Sequence, residues 1–166
     1  MIIFVGIKQF VVSKFINPFT DVGFKIIFGR EVNKDLLMDF LNQLLLGEYE
    51  VTDLHFADKE MLGDGIDDRG CIYDIFCKTA NGEMIIVEMQ NSKQVFFQDR
   101  ALYYISKAMS SQGFRGYGWE YVELKAVVGV FLMNFEVAWD LRRNGKIGPA
   151  VESKFRTDVV LADKES

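Results

Sequence analysis

Cys71-Ile72-Tyr73-Asp74-Ile75-Phe76-Cys77 and Met84-Ile85-Ile86-Val87-Glu88-Met89-Gln90 are the two stretches that decide the fold. Both are apolar at successive positions, the pattern of strands covered on each face. Each carries one acid, Asp74 and Glu88. A carboxylate buried in such a strand costs several kcal/mol, on the order of 2–7, unless something compensates it. A divalent cation shared by the two acids is the compensation this pattern implies.

The connection Thr79-Ala80-Asn81-Gly82-Glu83 sets how the two strands meet. Asn-Gly suits a two-residue type I′ turn, which pairs Asp74 with Met89 and sends Asp74 and Glu88 to opposite faces. A three-residue loop with Gly82 left-handed is the other common solution. It pairs Thr79 with Glu83, Phe76 with Ile86, Asp74 with Glu88 and Ile72 with Gln90. The second register is adopted here because it gives Asp74, Glu88 and Gln90 one location. The first leaves both acids at strand ends in water.

Outward from the hairpin, Thr20 or Asp21 caps a short helix through Phe24, Ile27 and Phe28 to Gly29. Asn33 is expected to cap a longer one, with Leu36, Leu37, Phe40, Leu41, Leu44 and Leu45 as its core stripe and Gly47 as its stop. Val51 to Phe56 alternates and reads as a strand. Asp58 to Arg69 is acidic and Gly-rich and reads as a loop. Phe97 to Gln112 reads as a helix with Ala101, Leu102, Ile105, Ala108 and Met109 inward. Gly113 to Gly118 is a turn carrying Arg115, and Leu124 to Phe135 is a buried strand. Val159-Val160-Leu161 is compatible with one more strand. The N-terminal run Ile2 to Ile7 is compatible with an extra strand or a disordered start. The order helix, strand, strand, strand, helix, strand describes an α/β sandwich with a mixed central sheet flanked by helices.

The chain has 166 residues, of which 49% are hydrophobic and 14% aromatic, enough for one domain with its own core. Cys71 and Cys77 have neither the number nor the spacing of a zinc site or a disulfide framework, and read as free thiols in a reducing, cytoplasmic setting. His55 is the single histidine, which disfavours histidine-based catalysis. The apolar N-terminal run is too short to span a bilayer and lacks the marks of a signal peptide, so no membrane association is expected. A net charge of −5 argues against a nucleic-acid binder as a whole. Its distribution is uneven. Acids crowd Glu48 to Asp68, whereas Arg142, Arg143, Lys146, Lys154 and Arg156 cluster near the C-terminus.

Four stretches in this order carry a resemblance: Asn17-Pro18-Phe19-Thr20-Asp21-Val22-Gly23-Phe24-Lys25, Arg69-Gly70-Cys71-Ile72-Tyr73-Asp74-Ile75, Ile86-Val87-Glu88-Met89-Gln90, and Arg100 through Tyr104-Ile105-Ser106. Together they resemble the PD-(D/E)XK nuclease superfamily. Within it they are closest to the recombination-promoting nuclease / PD-(D/E)XK transposase family. The resemblance implies a restriction-endonuclease-like α-β-β-β-α-β core over residues 17–135, with residues 1–16 as an N-terminal extension. It implies a longer, largely helical C-terminal part, so residues 136–166 read as the start of a region cut short. It makes Asp74 and Glu88 metal-binding acids, and puts Gln90 where the superfamily usually has lysine, as is common in this branch.

On that basis Asp74, Glu88 and the backbone carbonyl of Met89 are the expected ligands of Mg²⁺, with Mn²⁺ as a substitute. Mg²⁺ keeps several waters and shares substrate phosphates, so few protein donors suffice. Gln90 can orient a water but supplies no positive charge. Lys25 is the candidate for that charge, the alternative being a surface lysine. Asp21 is an additional candidate carboxylate, the alternative being a helix cap. Arg100 and Tyr104 lie four apart and share a helix face. With Arg115 they are the expected DNA-binding residues, the alternative being a solvated arginine and a partly buried tyrosine. The functional expectation is a Mg²⁺-dependent DNA endonuclease linked to recombination or transposable elements, with room for a homo-oligomer. The alternative is a nuclease fold reduced to nucleic-acid or protein binding.

Overall fold

A computed structural model describes residues 1–6, 16–45, 49–61, 70–94, 96–113, 124–135 and 156–159. The hairpin at its centre takes the three-residue register. Gly82 adopts φ +85°, the left-handed region that glycine enters without steric penalty. Its N–H donates to the Thr79 carbonyl at 2.9 Å, and the Thr79 N–H donates to the Glu83 carbonyl at 2.9 Å. Strand β5 (Ile75–Thr79) then pairs with β6 (Met84–Gln90) with Phe76 opposite Ile86.

Among the described residues the main sheet has six strands in the order β2-β5-β6-β7-β1-β8. The edge strand β2 (Leu54–Phe56) runs antiparallel to β5. On the other side β7 (Val127–Met133) runs parallel to β6, which a crossover through helix α3 (Phe97–Ser110) makes possible. The N-terminal segment is an additional strand, β1 (Ile2–Gly6), parallel to β7. Strand β8 (Arg156–Val159) closes that edge antiparallel to β1.

Both faces are covered. Helices α1 (Asp21–Phe28) and α2 (Lys34–Leu44) lie on one face, where Phe24, Leu37, Leu41 and Leu45 pack on Ile75, Cys77, Ile85, Val87 and Val130. Helix α3 lies on the other, where Phe97, Ala101, Ile105 and Ala108 pack on Phe76, Ile86, Val127 and Phe131. Gly129 permits this close approach, since a Cβ there would lie 2.6 Å from Ile105 Cδ1. Each fully buried Leu, Ile or Phe contributes roughly 2 kcal/mol of transfer free energy. The two cores are therefore what holds the helices to the sheet.

Several local expectations change. The run Cys71 to Cys77 is not one strand. It breaks into β4 (Cys71–Ile72), paired with β3 (Glu60–Met61), and β5, with Asp74 at a bend between them. Ile72 is therefore 67% exposed rather than covered, and part of the expected loop after Asp58 is a short strand. Leu36 and Leu102, read as inward, are 48% and 43% exposed. Each helix has a narrower buried stripe than its apolar residues suggest. Asn33 does not cap α2 with its side chain. Its amide instead donates to the Ile26 and Ile27 carbonyls at 3.2 and 2.8 Å, closing the C-terminal end of α1. Gly47, most of the acidic loop, the 113–118 turn beyond Gly113 and residues 136–155 lie outside the described residues. Cys71 and Cys77 are buried free thiols. Among the described residues no helix is long and apolar enough to cross a membrane.

Candidate active site

The site forms where the β5–β6 ladder stops. Hydrogen-bonded pairs in an antiparallel ladder recur at every second residue. Counting from Thr79–Glu83, they fall at Cys77–Ile85 and Ile75–Val87, and the next place is Tyr73–Met89. Tyr73 has turned away, its N–H donating to the Lys59 carbonyl at 2.8 Å. Side chains fill the gap. The Met89 N–H donates to Asp74 Oδ2 at 2.9 Å, and the Asp74 N–H donates to Glu88 Oε1 at 2.9 Å. The two acids are thus interlocked across the broken end of the hairpin. They do not face each other as a ladder pair, as the sequence register implied, because the bend at Asp74 takes it out of the ladder.

Glu88 is 5% exposed, and among the described residues it is the buried carboxylate. Burial, and then the Asp74 charge, push its carboxyl up to about 8, against the opposing pull of the Asp74 N–H, Arg100 and Lys25. Such an acid is poorly compensated by its protein neighbours and gains from a cation.

Lys25 reaches Asp74 from α1. Its ammonium lies 2.8 Å from Asp74 Oδ1 and 2.8 Å from Asp21 Oδ1. Burial disfavours the charged amine, but its hydrogen bonds to Asp21 and Asp74 and their charges hold it above the usual lysine range. The hydrogen bond from Lys25 holds the Asp21 carboxyl below its ordinary value. The 17–25 stretch explains how Lys25 is placed. Asn17 Oδ1 accepts the Phe19 N–H at 2.9 Å. The Thr20 hydroxyl donates to the Asn17 carbonyl at 3.0 Å and accepts the Gly23 N–H at 3.0 Å. Thr20, not Asp21, is therefore the cap. Gly23 has no room for a side chain, since a Cβ would lie 2.0 Å from the Asn17 carbonyl oxygen. Phe24, the next residue, is buried, and Lys25 emerges at the acids.

Gln90 projects toward α3. Its Oε1 accepts a hydrogen bond from Arg100 Nη2, and its Nε2 donates to the Ser92 carbonyl at 2.7 Å. Arg100 Nη1 donates to Gln94 Oε1 at 2.8 Å. The guanidinium carbon lies 5.2 Å from the Phe97 ring centroid and 5.6 Å from that of Tyr104. Tyr104 stacks edge-on against Tyr73 at 5.3 Å and accepts the Tyr73 hydroxyl at its backbone carbonyl, 3.1 Å away. Burial, then the Glu88 charge, raise the Tyr104 phenol. The fold thus brings together Asp74, Glu88, Met89, Asp21 and Lys25, with Gln90, Arg100 and Tyr104 adjoining on the α3 side. Arg115 lies outside the described residues. His55 is remote in role, 3.7 Å from Asp53 on the surface.

Sequence reasoning missed Asn17 and Gly23 as the scaffold of Lys25, and Ser92 and Gln94 as partners of the Gln90–Arg100 pair. The spacing Asn-x-x-Thr-x-x-Gly carried a turn-and-cap signal for the first. No periodicity pointed to the second.

The donor set fits a hard divalent ion. Among the described residues no group of three or more His, Cys, Asp or Glu forms a cage. Mg²⁺ does not require one, since one or two carboxylates plus water and phosphate oxygens suffice. In a strand a residue's N–H and C=O point the same way, so the Met89 carbonyl faces the gap that Asp74 enters.

No curated protein and no solved structure matched the chain. A family profile did, that of the PD-(D/E)XK nuclease family transposases, over residues 18–162. That span takes in α1, the interlocked acids and the Gln90–Arg100 pair, and the mixed sheet between helices agrees with a PD-(D/E)XK nuclease-like fold. The chain belongs to the PD-(D/E)XK nuclease family transposases.

Proposed function

We propose that the chain is a Mg²⁺-dependent DNA endonuclease acting in recombination or transposition. Family membership supports a nuclease acting on DNA, and PD-(D/E)XK nucleases generally use divalent metal ions. The observation that carries the finer reading is Glu88. It is a buried acid tied to a second acid, at a place where the backbone ladder has been given up to seat both.

Asp74, Glu88 and the Met89 carbonyl would hold Mg²⁺, which when bound supplies Lewis acidity at the phosphoryl oxygen and lowers the pKa of a water. The protein's own groups do the rest. The Met89 N–H fixes one Asp74 oxygen, and the Asp74 N–H fixes one Glu88 oxygen, so the carboxylates are oriented before substrate arrives. Lys25 places positive charge beside them, where charge develops on the phosphate in the transition state. Asp21 holds Lys25 in place. In the net reaction water forms a bond to phosphorus, one ester P–O bond breaks, and a proton ends on the leaving oxygen.

One observation favours a second reading, a binding module without cleavage. Both ends of the Gln90 amide are engaged, by Arg100 and by Ser92, so its water-orienting capacity is largely used. A plasmid assay separates the two readings. Supercoiled plasmid is incubated with the protein in Mg²⁺ or Mn²⁺, beside Asp74→Ala and Glu88→Ala. Nicking by the parent and by neither variant is expected. Retained plasmid binding without nicking supports the module, and equal nicking by all three refutes the assignment of these acids.

A further inference from the structure

Gln90 and Glu88 share one face of β6, since side chains two apart on a strand point the same way at a separation of about 7 Å. The Gln90 amide is oriented without ambiguity by its partners. The Ser92 carbonyl needs a donor and the Arg100 guanidinium needs an acceptor, so Nε2 faces Ser92 and Oε1 faces α3. Arg100 is gripped on three sides, by Gln90, by Gln94 and by the rings of Phe97 and Tyr104. This is a pre-organised guanidinium, not a mobile surface arginine. Its Nε–H is buried and has no hydrogen-bond partner. An unmet buried donor destabilises a fold, so this arrangement is not tuned for stability alone.

We propose that Gln90 and Arg100 act as one unit, with Gln90 a positioning residue that holds the Arg100 guanidinium beside the acid pair. The positive charge missing from the Gln90 position is then delivered from α3 on the neighbouring side, in addition to Lys25 from α1. Arg100 is permanently protonated and takes no part in proton transfer. Its effect is electrostatic, on the charge of the metal-loaded site and of the phosphate. This inference rests on the metal-dependent reading above, and it assigns Arg100 to the site rather than to a simple backbone contact with DNA.

The test reads Mn²⁺ affinity by calorimetry, plasmid binding against salt concentration, and single-turnover cleavage, for Arg100→Gln, Gln90→Leu, the double variant Gln90→Leu/Arg100→Gln and the exchange Gln90→Lys/Arg100→Gln. Removing a cation held by Gln90 on the strand face that Glu88 shares raises Mn²⁺ affinity, by about fivefold or more in Arg100→Gln. Gln90→Leu keeps the arginine but releases it, and shifts affinity in the same direction. It adds nothing further once Arg100 is already replaced, because the two act together. The exchange returns the cation to β6 and brings Mn²⁺ affinity back to within about threefold of the parent, with the expected effect following from the same Coulomb term. Cleavage falls about 100-fold in Arg100→Gln and recovers at least about tenfold in the exchange.

If Arg100→Gln does not fold, Gln90→Leu carries the test, and unchanged Mn²⁺ affinity in that folded variant overturns the proposal. It is also overturned if Arg100→Gln leaves Mn²⁺ affinity unchanged while weakening plasmid binding and lowering the salt slope by about one charge, the signature of a plain phosphate contact. A parent that does not cleave, with the Mn²⁺ pattern intact, sinks the nuclease reading and leaves the Gln90–Arg100 unit standing.

Discussion

The two ends of the β5–β6 hairpin each carry a glutamate, and the two are treated in opposite ways. At the turn, Glu83 accepts the Tyr49 hydroxyl at 3.0 Å and the Thr79 hydroxyl at 2.9 Å. Its charge meets neutral donors, and the ladder around it is complete through the Thr79 N–H. At the open end, Glu88 is met by the Asp74 N–H and by the charge of Asp74 itself, in a place shut off from water. The first acid is satisfied by its own fold. The second is left in need of a cation. The two acids are distinguished by whether their neighbours finish the electrostatics.

The largest expected effect sets the two ends directly against each other. Asp74→Asn removes a carboxylate from the open end and is expected to lower plasmid cleavage by about 10³-fold or more, consistent with loss of a metal ligand. Glu83→Gln at the turn leaves cleavage within about threefold, since surface and tethering groups act on stability rather than chemistry. Comparable losses in both variants would erase the distinction.

Lys25→Met tests the cation that the turn end has no need of. Cleavage is expected to fall about 10–100-fold, the scale of one electrostatic donor. The melting temperature is expected to fall by only several degrees, because the pair with Asp21 is exposed and worth about 0–1 kcal/mol, while the largely buried Asp74 keeps its hydrogen bond from the Met89 N–H. A large drop in melting temperature with unchanged cleavage would make Lys25 structural.

Glu88 sharpens the contrast through pH. Its folded value of about 8 lies above its ordinary 4.5, so between these values the folded protein holds a proton that the unfolded chain has released. Stability of the metal-free protein therefore falls as pH rises through that window, by up to about 1.4 kcal/mol per pH unit. Glu88→Gln removes that slope and is expected to stabilise the metal-free protein above pH 8 by about 1–3 kcal/mol, while abolishing cleavage. Chemical denaturation across pH reads this directly.

The smallest effects lie at the turn. Tyr49→Phe loses one hydrogen bond to Glu83, and Gly82→Ala forces a side chain into the left-handed region. Each is expected to cost about 1 kcal/mol in denaturant midpoint and to leave metal affinity unaltered. A change in metal affinity from either would mean that the two ends are coupled through the register.

Much of this was legible in the chain. Two strands without an alternating polar face announced a covered sheet, and the single acids within them are the two that the fold interlocks. Gly82, three residues after Thr79, permitted a register that the structure adopts. The bend at Asp74 was not legible, because Tyr73 and Ile72 look like strand residues whichever partner they take. Their partners are Lys59 and Glu60, residues of a segment that composition marked as loop. Leu36 and Leu102 misled for a related reason. Apolar character shows that a residue can be buried, not that a neighbour arrives to bury it.

The amino-acid sequence by itself determined the family and the covered sheet, because these follow from local pattern and from residues that stand out against it. Only the tertiary structure decided which cations come near Asp74 and Glu88, Lys25 by pairing with Asp74 and Arg100 through its hydrogen bond to Gln90. Lys25 and Arg100 arrive from opposite faces of the sheet, carried by helices far apart in the chain. Charge pairing of that kind depends on distances set by packing, and no spacing along the chain encodes them.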